Sequence, residues 1–510
     1  MKSIMFTFES IYTRKVGGLS EVPPRLGEEL ELLGVKTEIY TPNHSLIDTC
    51  EDPEFNVTIE NTKYCIKRLD GVRPIHYLVG GGSLNEKVVY PPENLIDKVV
   101  DFARVLVEYF KSRLHGQGSG VIFHGHDWHS IPSLLGVNKI AVENEIRVGL
   151  ILHIHLGTRN VINLDILCNK LHICNETPVR GDLGIVEFKH YYALSHGIIE
   201  RVGALIVDKL VTVSQGYVKD LTRLVGLGRA KKIDYVFNAT PLQWSEVSEV
   251  IKAKFNAIDP LDISVRLSIR NRLLTKDISE LRVRNLERGV DELIIKLTSK
   301  YGIVYNEPFK YPGPLLLLVG RLSKQKGFDY LLKSLDKLTL SEPRLRIIIA
   351  AVPSSWELDF LKILLEMVLS YPDNLRVLPG MLNRVDLVPL YYAANATLIP
   401  SRSEPFGLVA LESMASGTPV VASRTGGLIN IITDVRAEST RGNGTLFTPG
   451  DINDMVESTM HLVKLVEELY KTPNRQHNIR KICLERVRDF NWERSAKKTI
   501  EIYNAIFNKM

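Results

Sequence analysis

The sequence of 510 residues has no long apolar run, and this absence bears first on membranes and secretion. Its longest purely apolar stretches, Pro314 to Val319 and Ile347 to Val352, fall far short of the roughly 20 residues that a bilayer-spanning helix needs. The N-terminus carries one lysine, then a short apolar stretch, and no small-residue cleavage site. We therefore expect no transmembrane segment and no secretion signal, and we interpret the N-terminus as a first buried strand.

A large charge of one sign and closely paired cysteines are also missing. Lys and Arg total 64 and Asp and Glu 59, so the net charge is only +5. This weak charge gives no argument for a nucleic-acid partner. The five cysteines are odd in number, scattered and without a Cys-x-x-Cys pair, which favours reduced thiols over a disulfide or zinc framework. The composition therefore predicts a cytoplasmic protein.

The length exceeds the ~250 to 300 residues at which one hydrophobic core stops growing, so at least two domains are expected. Short runs of β-branched residues alternate with amphipathic stretches along most of the chain, which is typical of parallel sheets covered by helices. The predicted class is α/β, with two doubly wound Rossmann-like domains that face each other across a deep cleft. The expected strands are Ser3 to Phe8, Thr37 to Tyr40, Val121 to His124, Val148 to His153, Lys209 to Ser214, Leu315 to Val319, Arg346 to Ala350, Leu375 to Leu378, Thr397 to Pro400 and Pro419 to Ala422.

Changes in pattern divide the chain into four segments. Residues 1–244 and 310–488 are predicted to form the two Rossmann-like domains, and residues 489–510 a C-terminal helix. Residues 245–309 lack a clear strand and are rich in Leu, Arg and Glu, so a helical insertion packed on the body is expected. A surface for a partner or a polymer is the alternative. Because ligands bind outside the carboxyl ends of strands in such sheets, the chemistry should lie in the loops that follow strands.

The loop after the first strand contains Lys15-Val16-Gly17-Gly18-Leu19. Paired glycines let backbone N–H groups approach an anion closely, and a helix N-terminus favours phosphate. Lys15 would add a positive charge. Ser20 is placed to cap the helix that follows, with Glu21 in its first turn. The alternative is an ordinary tight turn between a strand and a helix.

Histidines are concentrated at the ends of two neighbouring predicted strands. The segment from His124 to His129 superficially resembles a binuclear metallohydrolase signature, but Asp127 comes one position early and no later acidic and histidine ligands are evident. We therefore expect no metal. Neutral imidazoles can instead bind sugar hydroxyls, with Trp128 packing nearby, and histidines of purely structural role are the alternative. The histidines concerned are His124, His126, His129, His153 and His155.

A loop of the second domain carries two basic residues, Arg321 and Lys326. An arginine fork and a lysine ammonium can stabilise the charge that develops on a diphosphate as its bond to a sugar breaks. A solvated basic loop is the alternative.

Two carboxylates, Glu404 and Glu412, flank the start of a predicted helix. Pro405 and Gly407 make Glu404 a loop residue, whereas Glu412 lies more than one turn inside the helix, so both can face one ligand at the helix N-terminus. Thr425-Gly426-Gly427 then repeats the glycine pair for the other side of the same ligand. Acidic residues also occur near helix starts without binding anything, which is the alternative.

Together with His126-Asp127-Trp128, these motifs resemble the retaining glycosyltransferases of the two-Rossmann (GT-B) type, and in particular the glycogen and starch synthases. The match spans nearly the whole chain, and the Lys-x-Gly-Gly-Leu motif is the part that indicates the synthases. The resemblance implies transfer of glucose from ADP-glucose or UDP-glucose to the non-reducing end of an α-1,4-glucan. It implies no cofactor, no metal, no nucleic acid and no membrane partner, and it leaves the oligomeric state open.

The resemblance also implies roles for residues of the second domain. Arg321 and Lys326 match the pair that holds the leaving diphosphate. Glu404 matches the carboxylate that holds the glucose hydroxyls, and Glu412 the one associated with the ribose. Residues Thr425, Gly426 and Gly427 match a donor-binding loop.

In the first domain the implied roles are divided between donor and acceptor. Lys15, Gly17 and Gly18 match the loop that touches the donor diphosphate and glucose, and Asn238 stands at the family's Asn-Gly position. His155 corresponds to the histidine beside the sugar 6-hydroxyl and the reaction centre. Glu21 stands where the family has an aspartate, and Glu21 and Asp127 are assigned to the acceptor side. The segment Asn491-Trp492-Glu493 resembles the C-terminal helix that crosses back to the first domain.

The expected mechanism is a front-face departure and attack, because both glutamates are committed to donor binding and no second acid is evident for a double displacement. The diphosphate itself would accept the proton of the acceptor, and closure of the two domains would expel water. Three other functions stay open: transfer to a small acceptor as in trehalose or sucrose synthesis, a nucleotide-sugar 2-epimerase, and a non-catalytic glucan-binding protein.

Overall fold

The computed structural model describes residues 1–114, 120–284, 288–302, 304–353, 357–471 and 479–508. The predicted segments 245–309 and 489–510 each include residues outside these ranges. The chain divides into two compact units, of which unit 1 is Met1–Ala239 with the residues from Asn491 onward and unit 2 is Thr240–Phe490. Each unit holds a parallel sheet with covering helices, so the predicted α/β class is confirmed.

Unit 1 contains a nine-stranded sheet and a separate hairpin. Its strands are β1 (Lys2–Phe6), β2 (Lys36–Pro42), β3 (Phe55–Ile59), β4 (Thr62–Leu69), β5 (Ile75–Gly80), β6 (Val121–His126), β7 (Gly149–Ile154), β8 (Pro178–Gly181), β9 (Gly184–Glu187), β10 (Lys209–Thr212) and β11 (Ile233–Tyr235). The sheet order is β11-β10-β7-β6-β1-β2-β5-β4-β3, parallel from β11 to β5. Strands β3 and β4 extend it as an antiparallel hairpin, and β8 pairs with β9. The order reverses between β1 and β6, where doubly wound sheets bind ligands.

Helices cover both faces of the unit 1 sheet. They are α1 (Val22–Leu32), α2 (Leu95–Arg113), α3 (Ile131–Glu143), α4 (Leu164–Leu171), α5 (Phe188–Ser195), α6 (Ile199–Ile206), α7 (Val218–Val225) and, from the end of the chain, α19 (Trp492–Phe507). Because side chains alternate along a strand, Met5 and Ile122 pack beneath α1 and α19, whereas Phe6 and Phe123 pack on the opposite face against α2 and α3.

Unit 2 is built on a six-stranded parallel sheet. The strands of this sheet are β13 (Leu315–Arg321), β14 (Arg346–Val352), β15 (Leu375–Pro379), β17 (Ala396–Ile399), β18 (Val420–Ser423) and β19 (Gly444–Phe447). Two further strands, β12 (Val283–Arg284) and β16 (Met381–Leu382), form a separate pair. The order β15-β14-β13-β17-β18-β19 places the reversal between β13 and β17. The helices are α8 (Trp244–Phe255), α9 (Ile263–Thr275), α10 (Arg288–Tyr301), α11 (Phe328–Leu332), α12 (Leu335–Ser341), α13 (Leu358–Ser370), α14 (Arg384–Ala393), α15 (Leu408–Ala415), α16 (Leu428–Ile431), α17 (Ile452–Lys471) and α18 (Ile479–Val487).

The predicted helical insertion is part of unit 2. Helices α8, α9 and α10 lie in it, but the segment is not free of strands, because β12 pairs antiparallel with β16. Leu273 and Leu274 of α9 are fully buried in one core cluster with Leu315 of β13. A strand of two residues has no periodicity in the sequence, and only its partner reveals it.

The prediction of reduced cysteines is wrong for four of the five. Cys50 is bonded to Cys65 and Cys168 to Cys174, with Cα atoms 5.2 and 4.3 Å apart, while Cys483 is buried and free. The sequence spacing gave no sign of the first pair because the loop after β2 returns to β4. The argument from cysteines to the cytoplasm therefore loses its basis, since disulfides are most common in oxidising compartments.

The expectation that the chain has no transmembrane segment can be compared with the helices of the structure. Across the residues that the structure describes, no helix combines the length and the apolar character that crossing a membrane requires.

Candidate active site

In unit 2 the loops after β13 and β17 meet at the reversal of strand order. Lys326 Nζ lies 2.6 Å from Glu404 Oε2, and Ser401 Oγ donates to the same oxygen at 3.0 Å. Glu404 is 8% exposed. The two charged residues predicted to bind different parts of one donor are therefore in direct contact.

Two glycines allow these loops to approach each other. Gly426 has φ +48°, and a Cβ added there would lie 1.9 Å from the carbonyl oxygen of Glu404. The N–H of the next residue, Gly427, donates to the same oxygen at 2.9 Å. Gly327 has φ +69°, and a Cβ there would lie 2.0 Å from the carbonyl oxygen of Pro400. The glycine pair predicted to contact phosphate thus has a packing reason of its own, because no side chain fits.

Two arginines near the Lys326–Glu404 pair, Arg402 and Arg321, differ in whether their charge is already paired. Arg402 donates to both carboxylate oxygens of Asp329 at 2.7 Å and lies 4.1 Å from the centre of the Tyr330 ring. This guanidinium lowers the pKa of Asp329. Arg321, at the end of β13, is exposed and has no hydrogen-bond or ion-pair partner within the part of the chain described. Of these two arginines, Arg321 is therefore the one whose charge is available to an anionic ligand.

Glu412 lies inside α15, as predicted, and Glu404 precedes that helix. Tyr391 OH donates to Glu412 Oε2 at 2.8 Å. Burial, followed by the nearby Glu412 charge, raises the pKa of Tyr391 well above its ordinary value. Tyr391 is part of the unit 2 core, so the carboxylate of Glu412 is held against a rigid base.

In unit 1 the Lys15–Leu19 loop is organised by a residue that the sequence did not reveal, Glu9. Its Oε2 accepts the N–H of Val16 at 2.8 Å and of Gly17 at 2.9 Å, and its Oε1 accepts Tyr90 OH at 2.9 Å. Glu9 is only 3% exposed. The Gly17 N–H that was expected to touch the donor is therefore already bound. A glutamate at the end of a strand, six residues before Lys15, was the available signal.

The start of the following helix differs from the prediction. Residues Gly18–Glu21 form a 3₁₀ turn, and α1 begins at Val22. Ser20 does not cap α1, because its hydroxyl donates to the carbonyl of Gly17 at 2.8 Å. Glu21 binds Lys15 Nζ at 2.7 Å, so these two predicted site residues neutralise each other.

His155 and Asp127 lie together after β7 and β6. Asp127 Oδ1 accepts the backbone N–H of His155 at 2.6 Å and of Leu156 at 3.2 Å. His155 Nε2 lies 3.0 Å from His126 Nδ1, and burial lowers the pKa of His155 to about 3, so its ring is neutral. Asp127 thus positions the loop that carries His155. Asn238, also predicted as a site residue, follows β11 and is 6% exposed.

The other four histidines lie in the interior and not at a sugar-binding surface. Burial lowers the pKa of His124 and of His129 to about 3, and the pKa values of His126 and His153 also fall well below the ordinary value. Trp128 is 4% exposed and packs on His129 with ring centres 4.1 Å apart. His155 and His129 are the most exposed of the five, at 9% and 7%, and the other three are at most 1% exposed.

The buried carboxyl of Asp127 should make the free energy of unfolding depend on pH. Burial raises its pKa to about 7, although the two N–H donors act in the opposite direction. Because the folded-state pKa of Asp127 lies above its ordinary value of 3.8, the protonated carboxyl stabilises the fold fully below pH 3.8. This stabilisation is lost as the pH rises from 3.8 toward 7. Asp127→Asn has no carboxyl to titrate at this position. The free energy of unfolding of Asp127→Asn relative to that of the wild type should therefore rise by roughly 2 to 4 kcal/mol as the pH increases toward 7.

Urea unfolding of both proteins at about pH 4.5, 6 and 7.5 checks this prediction. All other titrating groups are common to the two proteins, so they cancel in the difference. A difference that stays flat or shrinks with rising pH would show that the two N–H donors keep this carboxylate charged.

Comparisons with known proteins agree with this arrangement. The family model described as the starch synthase catalytic domain matches residues 2–233, and that of the group 1 glycosyl transferases matches residues 306–481. Glycogen synthase of Bacillus cereus (strain B4264) is 26% identical over 523 residues, covering 96% of this chain and 97% of that protein. Glycogen synthase of Anoxybacillus flavithermus (strain DSM 21510 / WK1) is 24% identical, covering 99% and 98%.

Among solved structures, the catalytic domain of starch synthase IV from Arabidopsis thaliana, bound to ADP and acarbose, matches with a TM-score of 0.72 at 16% identity, covering 99% of each chain. Two doubly wound units, each with charged loops at the reversal of its strand order, define the protein as a glycosyltransferase of the GT-B fold. Within this class the chain is similar to the glycogen and starch synthases, the group that the sequence motifs resemble.

Proposed function

We propose that this enzyme transfers glucose, with retention of configuration, from ADP-glucose or UDP-glucose to the non-reducing end of an α-1,4-glucan. The observation that carries the proposal is the Lys326–Glu404 ion pair, at 2.6 Å, with the exposed Arg321 on the same post-strand loop. A lysine, an arginine and a carboxylate at one place suit a sugar diphosphate, which needs cations at its phosphates and an acceptor for its hydroxyls.

In the proposed donor step, Arg321 and Lys326 bind the diphosphate and stabilise the charge that it gains as the glucosyl bond breaks. Glu404 accepts hydrogen bonds from glucose hydroxyls, and Glu412 accepts them from the ribose. The N–H groups at the start of α15 supply further donors to the phosphates. In the Thr425–Gly427 loop this role falls to the N–H of Gly426, because the N–H groups of Thr425 and Gly427 already donate to the carbonyls of Ser423 and Glu404. Arg402 takes no part, because Asp329 already binds both sides of its guanidinium.

In the proposed transfer step, neutral His155 stabilises the reacting glucosyl group near its 6-hydroxyl. Asp127 positions the His155 loop through two backbone N–H bonds, and Lys15 with Glu21 completes the unit 1 contribution to donor and acceptor binding. The leaving diphosphate takes the proton of the attacking 4-hydroxyl, so the acceptor enters from the face that the diphosphate leaves. This front-face route needs no second carboxylate nucleophile.

The Glu9 carboxylate gives a test of the Lys15 loop. Glu9→Gln replaces the charged acceptor of the Val16 and Gly17 N–H groups with a neutral amide oxygen, which weakens both bonds, and its amide nitrogen cannot accept from Tyr90 OH. Since a hydrogen bond to a charged group contributes about 1.5 to 3 kcal/mol, kcat/KM for the nucleotide sugar should fall by roughly 10- to 100-fold.

Steady-state kinetics with a thermal melt of each protein check the Glu9 prediction. Glu28→Gln is the matched control, because Glu28 accepts from Tyr12 OH at 3.0 Å and pairs with Arg25 at 3.1 Å on the exposed face of α1. It should change kcat/KM less than about twofold, as surface ion pairs contribute little. Unchanged kinetics in Glu9→Gln would mean that this loop does not contribute to donor binding.

The proposed reaction has no metal-dependent step, because Arg321 and Lys326 supply the positive charge. Transfer rates should therefore be the same in excess EDTA as without it, when measured by release of nucleoside diphosphate. Loss of activity in EDTA that added Mg²⁺ restores would contradict the metal-free route.

The decisive experiment incubates the purified protein with glycogen and, in separate reactions, ADP-glucose, UDP-glucose and UDP-N-acetylglucosamine. Nucleoside diphosphate release and incorporation of labelled sugar into polymer are both measured. We expect glycogen-dependent incorporation from a glucose donor, which also names the nucleotide. Donor turnover without labelled polymer would favour a small acceptor, and consumption of UDP-N-acetylglucosamine without any acceptor would favour the 2-epimerase.

A further inference from the structure

Three histidines that the proposed reaction leaves unused meet beneath α19, on the face of the unit 1 sheet opposite to α2 and α3. His124 and His126 are two residues apart on β6, so their side chains share one face. His153 of β7 lies directly opposite His126 in the parallel register. All three are buried, with at most 1% of each residue exposed. We call them the three-histidine cluster.

Each residue of the three-histidine cluster offers one ring nitrogen, and these three nitrogens lie within 4.8 Å of one another. Hydrogen bonds hold the opposite edges of two rings. His124 Nδ1 lies 2.9 Å from Tyr503 OH, and His126 Nδ1 lies 3.0 Å from His155 Nε2. Such second contacts orient the imidazoles of metal sites.

The remaining nitrogens of the cluster lack partners. His124 Nε2, His126 Nε2 and both nitrogens of His153 are buried and make no hydrogen bond within the described part of the chain. Leaving a buried polar atom unpaired costs about 1 to 3 kcal/mol, and native proteins seldom do so. Four such atoms in one place therefore indicate a missing ligand, and three convergent imidazoles are a donor set for a transition metal.

We propose that the three-histidine cluster binds one divalent first-row transition-metal ion of the kind that prefers imidazole ligands, foremost Zn²⁺. The ion would join β6 to β7 directly, as a structural element of unit 1. Three neutral histidines are a known zinc donor set. The three histidines do not contact the donor or the acceptor in the proposed transfer, although His126 adjoins His155, and metal retention can be measured whether or not that function holds.

Loading the site requires the rings to turn. Their centres now lie 4.5 to 5.5 Å apart, and their planes are within 29° of parallel, whereas a metal ion lies in the plane of each imidazole that binds it. The torsion between Cβ and the ring is broad, so the rings can turn toward a common point. Turning them changes the present contacts of His124 with Tyr503 and of His126 with His155. Because the cluster is enclosed, the ion must be offered during expression or refolding.

The test measures metal in the full-length protein. Protein refolded with Zn²⁺ or with Co²⁺ and then freed of loose metal should retain one ion per chain, by elemental analysis, and the Co²⁺ form should show the visible absorption of a nitrogen-coordinated tetrahedral ion. His153→Gln should retain none. His129→Gln is the matched control, since His129 is also buried but lies outside the cluster, and it should retain one ion.

X-ray absorption of the zinc-loaded wild type keeps the test decisive even if His153→Gln does not fold. Three imidazole nitrogens at about 2.0 to 2.1 Å from the metal would support the proposal. Wild-type protein that retains no ion after refolding with metal, equal retention by wild type and His153→Gln, or a shell made mainly of oxygen would each overturn it.

Discussion

Glu404→Ala is expected to lower kcat at least about a hundredfold, the scale of removing one preorganised electrostatic group. Glu404 is buried and holds Lys326 at 2.6 Å, so the variant loses the proposed acceptor for glucose hydroxyls and also leaves the lysine without its partner. The first loss acts on the position of the glucose and the second on that of the diphosphate. The measurement is kcat for labelled glucose incorporation into glycogen, with a thermal melt of the same preparation.

Two further variants separate charge from shape in the Glu404 experiment. Glu404→Gln keeps the size of the side chain, and we expect it to stay far below wild type because a neutral amide cannot pair with Lys326. Glu342→Ala breaks another ion pair of unit 2, to Arg344 at 3.1 Å, which lies outside the loops that follow β13, β17 and β18. This control should leave kcat within about twofold of wild type. A near wild-type rate in Glu404→Ala would reject the proposed role of this carboxylate.

The second large effect is expected in Gly426→Ala. The new Cβ would lie 1.9 Å from the Glu404 carbonyl oxygen, and φ at this position is +48°. Left-handed backbone costs a residue with a side chain about 1 to 2 kcal/mol, and overpacking a further 1 to 3 kcal/mol. We expect a loss of about 3 kcal/mol in unit 2, hence a Tm lower by roughly 10 °C, together with a loss of activity because Glu404 is displaced.

Two other glycines divide the Gly426→Ala effect into its causes. Gly71 has φ +76° with nothing within 4 Å of a built Cβ, so Gly71→Ala measures the backbone cost alone. Gly228 has neither a positive φ nor a neighbour within 4 Å, so Gly228→Ala should leave Tm unchanged. If Gly426→Ala melted no lower than Gly71→Ala, the close contact of its loop with Glu404 would be refuted.

Several features of this protein were accessible from local patterns. Each predicted strand of the second half appears within a few residues, for example Leu315–Arg321 and Arg346–Val352, because buried parallel strands are continuous apolar runs. By contrast, strands β3 to β5 were not predicted. Only one side of β3 is packed, and its residues alternate between half-buried and exposed, so it gives a weak apolar signal.

The candidate site shows the same division between residue types and contacts. The pattern predicted Lys326, Glu404 and Gly426 as residues of one ligand site, but it did not show that Lys326 and Glu404 pair or that Gly426 is required by the backbone of Glu404. Contacts between residues far apart in the chain depend on sheet order, which no local window contains. Glu9 was missed for a different reason, because the donors that its carboxylate binds are backbone N–H groups, which carry no residue-specific signal.

The amino-acid sequence by itself determined the α/β class, the two doubly wound units, the resemblance to the glycogen and starch synthases, and the loops in which the charged residues lie. These follow from hydrophobic period and from glycine and charge at fixed spacings, which are local properties. Only the tertiary structure decided the Cys50–Cys65 and Cys168–Cys174 bonds, the neutral pairing of Lys15 with Glu21, and the burial of His124, His126 and His153 in one cluster. Each of these depends on which segments pack side by side, and packing is settled by the free energy of the whole fold.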